Sequence, residues 1–155
     1  NDEAQLVVVK NFVESIINIE KEKAEQKGIS ISCIFGGEYE RPILVNNEVL
    51  GMVLINLLNN SIDSFCDIER EDKKIHVKLS VEEGSLCVGI ADNGCGIEKT
   101  ELDNIFDPFY STKENGTGLG LYIISTEISN NGGKITVESN PGEGTAFEII
   151  LPIME

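Results

Sequence analysis

Two pairs of segments with alternating apolar and polar residues constrain the fold of this chain most strongly. In the first pair, KKIHVKLSV at 73–81 and SLCVGIAD at 85–92 flank the turn-like triplet EEG. In the second pair, KITVES at 134–139 and TAFEIILPI at 145–153 flank NPGEG. Because alternation directs successive side chains to opposite faces of a strand, each pair predicts a β-hairpin with one apolar face.

Apolar residues at helical spacing predict three main helices. The helices are predicted over 10–27, over 46–66, where the circumference is mostly apolar, and over 119–131. Short extended segments are predicted at 5–9, 29–35 and 41–45, and a helical piece near 98–105. The predicted fold is an α/β two-layer sandwich, with a mixed, largely antiparallel sheet of about five strands and three main helices on one face.

Length and charge set limits on domain organisation and ligands. The 155 residues fit one domain, so residues 1–155 are expected to form a single unit. A net charge of −15 repels nucleic acid and anionic membrane surfaces, so a bound phosphate would need local amides, a metal ion or placed cations. No signal peptide and no apolar run of about 18 residues is present. We expect a cytoplasmic fragment, beginning at Asn1, of a parent with or without a membrane anchor.

The cysteines do not indicate a metal site. The four cysteines, at 33, 66, 87 and 95, show no CxxC spacing and no accompanying histidine pair. Neither a zinc site nor a tight disulfide framework is therefore predicted. Free buried thiols in a reducing compartment are expected instead.

A glycine-rich stretch, KENGTGLGL at 113–121, directly precedes the third predicted helix. Gly116, Gly118 and Gly120 remove side chains from alternate positions, so a ligand could come close to bare N–H groups. The start of a helix offers unpaired donors and a partial positive charge, which suit an anion. The stretch therefore favours phosphate as a ligand.

Polar residues interrupt the apolar helix predicted over 46–66. Asn56, Asn60 and Asp63 are four and three residues apart, so they share one helical face, and Asn59 lies beside them. Neutral carboxamide oxygens suit Mg²⁺, which takes one or two protein oxygens and leaves its other positions to phosphates and water. A polar edge that faces water is the alternative.

Three further motifs are weak when taken singly. ADNGCGI at 91–97 and NPGEGTAF at 140–147 fit ordinary turns, and in DPFYSTK at 107–113 the residue Phe109 fits a core position and Lys113 a solvated one. The glycine spacing is GxGxG rather than GxGxxG, and Gly133-Lys134 lacks the rest of a P-loop. Both familiar nucleotide-binding fingerprints are therefore excluded.

In their order along the chain, these motifs resemble the ATP-binding catalytic domain of two-component sensor histidine kinases, within the gyrase, Hsp90, histidine kinase and MutL superfamily. The resemblance covers essentially the whole chain and implies a Bergerat-type ATP-binding fold. The N box and F box look most like those of the nitrogen-regulation and sporulation-kinase branch. The boxes are NLLNNSIDSF (56–65, N box), DNGCGI (92–97, G1 box), IFDPFYSTK (105–113, F box), NGTGLGL (115–121, G2 box) and GEGTAF (142–147, the final Gly-Thr element).

The resemblance implies binding of Mg-ATP. It makes Asn60 the Mg²⁺ ligand, Asn56 a contact to phosphate or metal-bound water, and Asp92 the acceptor for the adenine amine. Thr145 would share the water at the ring edge, Lys113 would reach the phosphates and act in catalysis with Asn56, and 108–116 would be a mobile ATP lid. The remaining implied nucleotide-binding residues are Gly94, Gly96, Ile97, Gly116, Thr117, Gly118, Leu119 and Gly120.

The same resemblance implies the reaction and its partners. The γ-phosphoryl group would pass to a histidine on a separate dimerisation domain of the same parent, a homodimer, with a response regulator downstream and no nucleic acid. His76, the sole histidine, matches no acceptor motif. An ATPase or a serine-directed anti-sigma kinase of the superfamily is an alternative, although those relatives carry glutamate where Asn56 stands. A non-catalytic nucleotide-binding scaffold is a further alternative.

Overall fold

The computed structural model describes residues 5–36, 42–65, 68–111 and 119–154. The helices and strands in these ranges follow the predicted order, and the boundaries of the three main helices and of the main-sheet strands agree with the sequence pattern to within about three residues. No helix within these ranges is long and apolar enough to cross a membrane. The elements are β1 (Gln5–Val7), α1 (Val9–Glu25), β2 (Ile29–Gly36), β3 (Ile43–Val45), α2 (Asn47–Asp63), β4 (Lys73–Glu82), β5 (Ser85–Asp92), α3 (Lys99–Leu102), α4 (Gly120–Asn130), β6 (Lys134–Asn140) and β7 (Gly144–Pro152).

Five strands form the main sheet, in the order β2-β4-β5-β7-β6. Strand β2 pairs with β4 in parallel, and all other neighbours are antiparallel, which confirms the predicted mixed sheet. The parallel pair requires a crossover, and the connection from β2 to β4 runs through β3 and α2. Both predicted hairpins are present, as β4–β5 and β6–β7.

The prediction of one sheet is incomplete, because β1 and β3 form a separate two-stranded antiparallel sheet. Each of these strands is three residues long and leads directly into a helix, β1 into α1 and β3 into α2. Since α1 and α2 pack against each other, the two strands meet beside the helices instead of extending the main sheet.

Among the described residues the helices cover one face of the main sheet, and the opposite, open face is exposed along β4. On β4 the side chains of Ile75, Val77 and Leu79 are buried, whereas those at 74, 76 and 78 are exposed. Helix α2 supplies much of the covering layer, which confirms the two-layer arrangement. Its fully buried side chains are Leu50, Val53, Leu54, Leu57 and Leu58.

Asn46 caps α2 and joins it to the end of α4. Its side-chain oxygen accepts a hydrogen bond from Val49 N at 3.1 Å, and its amide donates to Asn131 Oδ1 at 3.1 Å. We expect Asn46→Ala to lower the free energy of unfolding by about 1 kcal/mol, measured by urea denaturation. Asn46→Ser keeps an acceptor for the cap and should lose less; equal losses in both variants would contradict the capping role.

Candidate functional site

The candidate site lies where the central strand β5 ends and its neighbour β7 begins. Asp92 is the last residue of β5 and pairs across the sheet with Thr145 on β7, which in turn pairs with Ser139 on β6. Two residues before Asp92, Ile90 is buried, and two residues after Thr145, Phe147 is buried. Because side chains alternate along strands, Asp92, Thr145 and Ser139 form one row on the helix-covered face.

The carboxyl group of Asp92 is mostly removed from water. Burial raises its pKa, while the N–H of Gly94, the nearby hydroxyls of Ser61 and Ser64, and the N–H of Thr145 act in the opposite direction. The bond from Gly94 N to Asp92 Oδ1 measures 2.9 Å. The result is a fixed, poorly hydrated acceptor, of the kind that binds a donor strongly.

Ser61 and Ser64 were given no role by the sequence analysis. They lie three residues apart at the end of α2, so they share a helical face, and that face meets Asp92. Ser64 Oγ donates to Ser61 O at 2.6 Å. The spacing of the two serines was the available signal, but their proximity to β5 depends on how α2 packs.

The loop that follows Asp92 is fastened to three different elements. Cys95 N donates to Ser64 O at 3.0 Å, and Cys95 O accepts from Gly142 N at 2.7 Å. Ile97 N donates to Ser139 Oγ at 2.8 Å. The predicted site residue Ile97 is therefore held beside the row of Asp92, Thr145 and Ser139.

Gly94 and Gly96 are required by the protein's own packing. A Cβ on Gly94 would lie 2.0 Å from Ser64 Oγ, and one on Gly96, whose φ is +72°, would lie 2.1 Å from Asn140 O. Both distances are far below van der Waals contact. These glycines thus allow the loop to approach α2 and β6, while the expected approach of the loop to a base stays a prediction.

The carboxamide of Asn56 on α2 lies beside the start of α4. Asn56 donates from Nδ2 to Met52 O at 2.9 Å, and its Oδ1 would lie 3.0 Å from a Cβ on Gly120, the first residue of α4. Asn60 follows one turn later and is half-buried, and Leu119 occupies the N-cap position of α4. The structure therefore brings Asn56 next to Gly120. The other predicted phosphate-binding residues, Lys113, Gly116, Thr117 and Gly118, lie outside the described residues.

The side-chain oxygen of Asn56 suits Mg²⁺ better than it suits a metal ion whose ligands all come from the protein. No group of three or more His, Cys, Asp or Glu side chains that could hold a metal occurs within the described ranges. The amide nitrogen of Asn56 is bound to Met52 O, so its oxygen is the atom turned toward α4. A neutral oxygen fits an ion that takes most of its ligands from phosphates and water.

Cys33 and Cys87 are free thiols, and neither is fully buried. Both are half-buried, and Cys95 is exposed. The prediction of free thiols is confirmed for Cys33 and Cys87, and the prediction of burial is wrong for all three residues. Burial still raises the pKa of Cys33 to about 11, with the Glu14 charge acting in the same direction.

Phe109 does not belong to the core. Its side chain is 77% exposed and its φ is +68°, a conformation that a residue with a side chain seldom adopts. The interpretation of Phe109 as a core residue is therefore wrong. The helical piece predicted near 98–105 is also shorter than expected, since α3 spans only Lys99–Leu102.

His76 lies on the open face of the sheet, opposite the candidate site. It is exposed, and its Nδ1 is 2.6 Å from Ser32 Oγ. Its neighbours in β4, Ile75 and Val77, face the helices. The sheet therefore separates His76 from Asp92, and the expectation that His76 is not a phosphoacceptor stays a prediction.

Comparison with protein families and curated sequences gives consistent results. The sequence profile of the family "Histidine kinase-, DNA gyrase B-, and HSP90-like ATPase" matches residues 45–155. A probable C4-dicarboxylate sensor kinase of Bacillus subtilis is 37% identical over 113 residues, covering 72% of this chain and 21% of that protein. Sporulation kinase A of the same organism is 34% identical over 147 residues, covering 93% and 23%. This chain thus spans about a fifth of the length of these relatives.

Solved structures show the same architecture. The catalytic domain of the histidine kinase ThkA, in a nucleotide-free form, superposes with a TM-score of 0.81 at 26% identity, covering 97% of this chain and 95% of that one. Full-length ShkA in complex with AMPPNP gives a TM-score of 0.86 at 24% identity, covering 99% of this chain and 32% of ShkA. At that identity the second match is evidence for the fold alone.

Proposed function

This chain belongs to the family of histidine kinase-, DNA gyrase B- and HSP90-like ATPases, and on that premise we propose that it binds Mg-ATP and transfers the γ-phosphoryl group to a histidine on a separate domain. It is homologous to the catalytic domains of sensor histidine kinases. The observation that carries the proposal is the placement of the Asp92–Thr145 pair where β5 ends and β7 begins, with the Asn56 carboxamide of α2 beside the start of α4.

The adenine would bind at the ends of β5 and β7. The ionised carboxylate of Asp92 accepts the exocyclic amine, and Thr145 shares a water molecule at the ring edge. Burial of Asp92 supports this role, because a hydrogen bond to a charged group is stronger where water is excluded. Gly94, Gly96 and Ile97 would form the loop that lies along the base.

The phosphates would bind where α2 meets α4. The first N–H groups of α4 and its partial positive charge attract an anion, and Gly120 leaves this end without a bulky side chain. In the proposal Asn60 holds Mg²⁺, Asn56 contacts phosphate or a metal-bound water, and Mg²⁺ when bound neutralises charge on the phosphates. Leu119 contributes from the described part of the G2 box, and Lys113, Gly116, Thr117 and Gly118 complete the site.

The position of Asn56 favours phosphotransfer over hydrolysis. A carboxamide cannot accept a proton near neutral pH, so Asn56 cannot activate water or a serine hydroxyl. A neutral imidazole needs no such base. Its unprotonated nitrogen attacks the γ-phosphorus, the bond from that phosphorus to the β,γ-bridging oxygen breaks, and ADP leaves with the electron pair. Catalysis then consists mainly of positioning and charge neutralisation.

The proposed partners follow from the need for a phosphoaccepting histidine other than His76. His76 is the sole histidine and lies on the opposite face of the sheet, so the phosphoaccepting histidine is proposed to belong to a dimerisation domain of the same parent protein. A homodimeric parent, a response regulator as the next acceptor, and a cytoplasmic location for this domain complete the proposal.

A phosphotransfer assay tests the proposed function. The domain is mixed with γ-labelled ATP, Mg²⁺ and the histidine-bearing domain of its parent, with chelated Mg²⁺ as the control. We expect acid-labile, base-stable label on histidine and negligible steady-state ATP hydrolysis by the isolated domain. Brisk hydrolysis without an acceptor, or label that survives acid, would instead indicate an ATPase or a serine-directed kinase.

Asn60 and its neighbour Asn59 offer a matched test of the Mg²⁺ assignment. Both are half-buried carboxamides of α2, but they project in directions about 100° apart. We expect Asn60→Ala to reduce by about tenfold the factor by which Mg²⁺ strengthens ATP binding, as expected for loss of one charge-assisted contact. Asn59→Ala should leave that factor unchanged. Calorimetry with and without Mg²⁺ measures it, and equal effects of the two variants would refute the assignment.

A further inference from the structure

Ser139 is a buried hydroxyl to which the sequence analysis gave no role. It is 9% exposed and lies on β6, directly across from Thr145 on β7. Its Oγ is 2.8 Å from Ile97 N, 2.9 Å from Gly144 O and 2.8 Å from Thr145 Oγ1. One hydroxyl thus connects the loop after Asp92, the start of β7 and the Thr145 side chain.

The chemistry of these three partners fixes the direction of each bond. A hydroxyl has one hydrogen to donate and two lone pairs. The N–H of Ile97 can only donate, so it takes one lone pair of Ser139 Oγ; Gly144 O can only accept, so it takes the hydrogen. The second lone pair is left for Thr145. All three contacts are satisfied together only if Thr145 donates to Ser139.

This arrangement determines what Thr145 can offer to a ligand. Its single hydrogen is bound to Ser139, so toward the neighbouring Asp92 and the space beside it Thr145 has only lone pairs. Asp92, when ionised, is also only an acceptor. The end of the site therefore presents two adjacent acceptors, which suit the donor of a 6-amino group.

We propose that Ser139 is a positioning residue that sets base specificity by holding the Thr145 hydroxyl as an acceptor. The inference rests on the proposed function, since it requires a purine at Asp92. A 6-aminopurine brings a donor to this end of the site. A 6-oxopurine brings a carbonyl oxygen that faces Asp92 and a shared water whose hydrogens are taken by Asp92 and Thr145. Without Ser139, the Thr145 hydroxyl is free to rotate and to donate to that water, which can then turn a hydrogen toward the oxygen.

The test compares ATP with inosine triphosphate, which carries a carbonyl in place of the 6-amino group and a hydrogen on N1. Dissociation constants for both are measured by calorimetry on the wild type and on Ser139→Ala, together with thermal unfolding. We expect the ratio of ITP to ATP dissociation constants to fall by about tenfold in the variant, because one unpaired acceptor is relieved. Ser139→Thr, which keeps a hydroxyl, should show the same ratio of ITP to ATP dissociation constants as the wild type.

A double-mutant cycle separates this role from a general loss of structure. In a Thr145→Val background there is no hydroxyl for Ser139 to orient, so adding Ser139→Ala should leave the ratio of dissociation constants unchanged. A purely structural role would change the ratio equally in both backgrounds and would overturn the proposal. If Ser139→Ala fails to fold, Ser139→Cys, which has similar size and a weak donor, takes its place in the same cycle.

The outcomes also separate this proposal from the function on which it rests. If the wild type binds ATP in preference to ITP and Ser139→Ala preserves that preference, only the role of Ser139 fails. If the wild type binds neither nucleotide, the proposed ATP-binding function fails, and the role of Ser139 fails with it.

Discussion

Gly144→Ala is expected to remove most of the nucleotide affinity and to destabilise the domain strongly. The φ of Gly144 is +135°, and a Cβ there would lie 2.0 Å from Asp92 O and 2.9 Å from Asn93 Cα. These neighbours are backbone atoms, so they cannot rotate away, and β5 must separate from β7 at the Asp92–Thr145 pair. Strain and overpacking together should cost about 3 kcal/mol, and displacement of Asp92 should weaken ATP binding by at least about tenfold.

Gly142→Ala is the matched control for this prediction. Gly142 lies in the same turn with a φ of +79°, but a Cβ there would meet no atom within 4 Å. Both variants carry the strain of a positive φ, which costs about 1 kcal/mol, and only Gly144→Ala adds a collision. Urea denaturation and ATP calorimetry on the two variants measure the difference. Equal losses would show that the collision has no importance.

Asp92→Asn is expected to weaken ATP binding by about 10- to 100-fold while making the nucleotide-free domain more stable at neutral pH. The amide cannot offer the ionised acceptor that the adenine amine requires, and a hydrogen bond to a charged group contributes about 1.5–3 kcal/mol. The gain in stability has a separate cause. Burial raises the pKa of Asp92, so the folded state holds the ionised carboxyl less favourably than water does.

The sign of this effect can be tested through its pH dependence. Because the pKa of Asp92 is raised in the folded state, its protonated form favours folding below the ordinary value of 3.8, and this contribution is lost as the pH rises through the folded pKa. The stability advantage of Asp92→Asn over the wild type should therefore widen from pH 4 to pH 7. Thermal unfolding at both values measures it, with Asp103→Asn, an exposed carboxylate, as the control. An advantage that narrows over this range would contradict burial as the dominant cause.

The elements of this fold could be predicted because their signals are local. The β4–β5 hairpin follows from alternation around Glu83 and Gly84, which adopt φ values of +50° and +78°, as a tight turn between twisted strands requires. The Asn46 cap likewise follows from residues adjacent in sequence. The pairing of β1 with β3 joins segments almost forty residues apart, and nothing within either segment specifies it.

The candidate site likewise contains residues that local sequence motifs predict and residues whose roles depend on the folded structure. Asp92, Thr145 and Asn56 could be identified because they stand in motifs with fixed order, and the structure brings the first two together as cross-strand partners. The contribution of Ser139 depends on the register between β6 and β7, which alternation alone does not give. The exposure of Phe109 depends on its positive φ, and the presence of an aromatic residue in the sequence does not predict that conformation.

The two residues proposed to recognise the purine stand on the central strand of the sheet and on its hydrogen-bonded neighbour. Their separation is therefore set by main-chain pairing, and rearrangement of the helices leaves it unchanged. A small molecule that imitates only the heterocycle would bind to groups that are already in place. Little of its binding free energy would therefore be lost in ordering the protein. For inhibitor discovery, fragments without any triphosphate are accordingly a sound starting point for this domain.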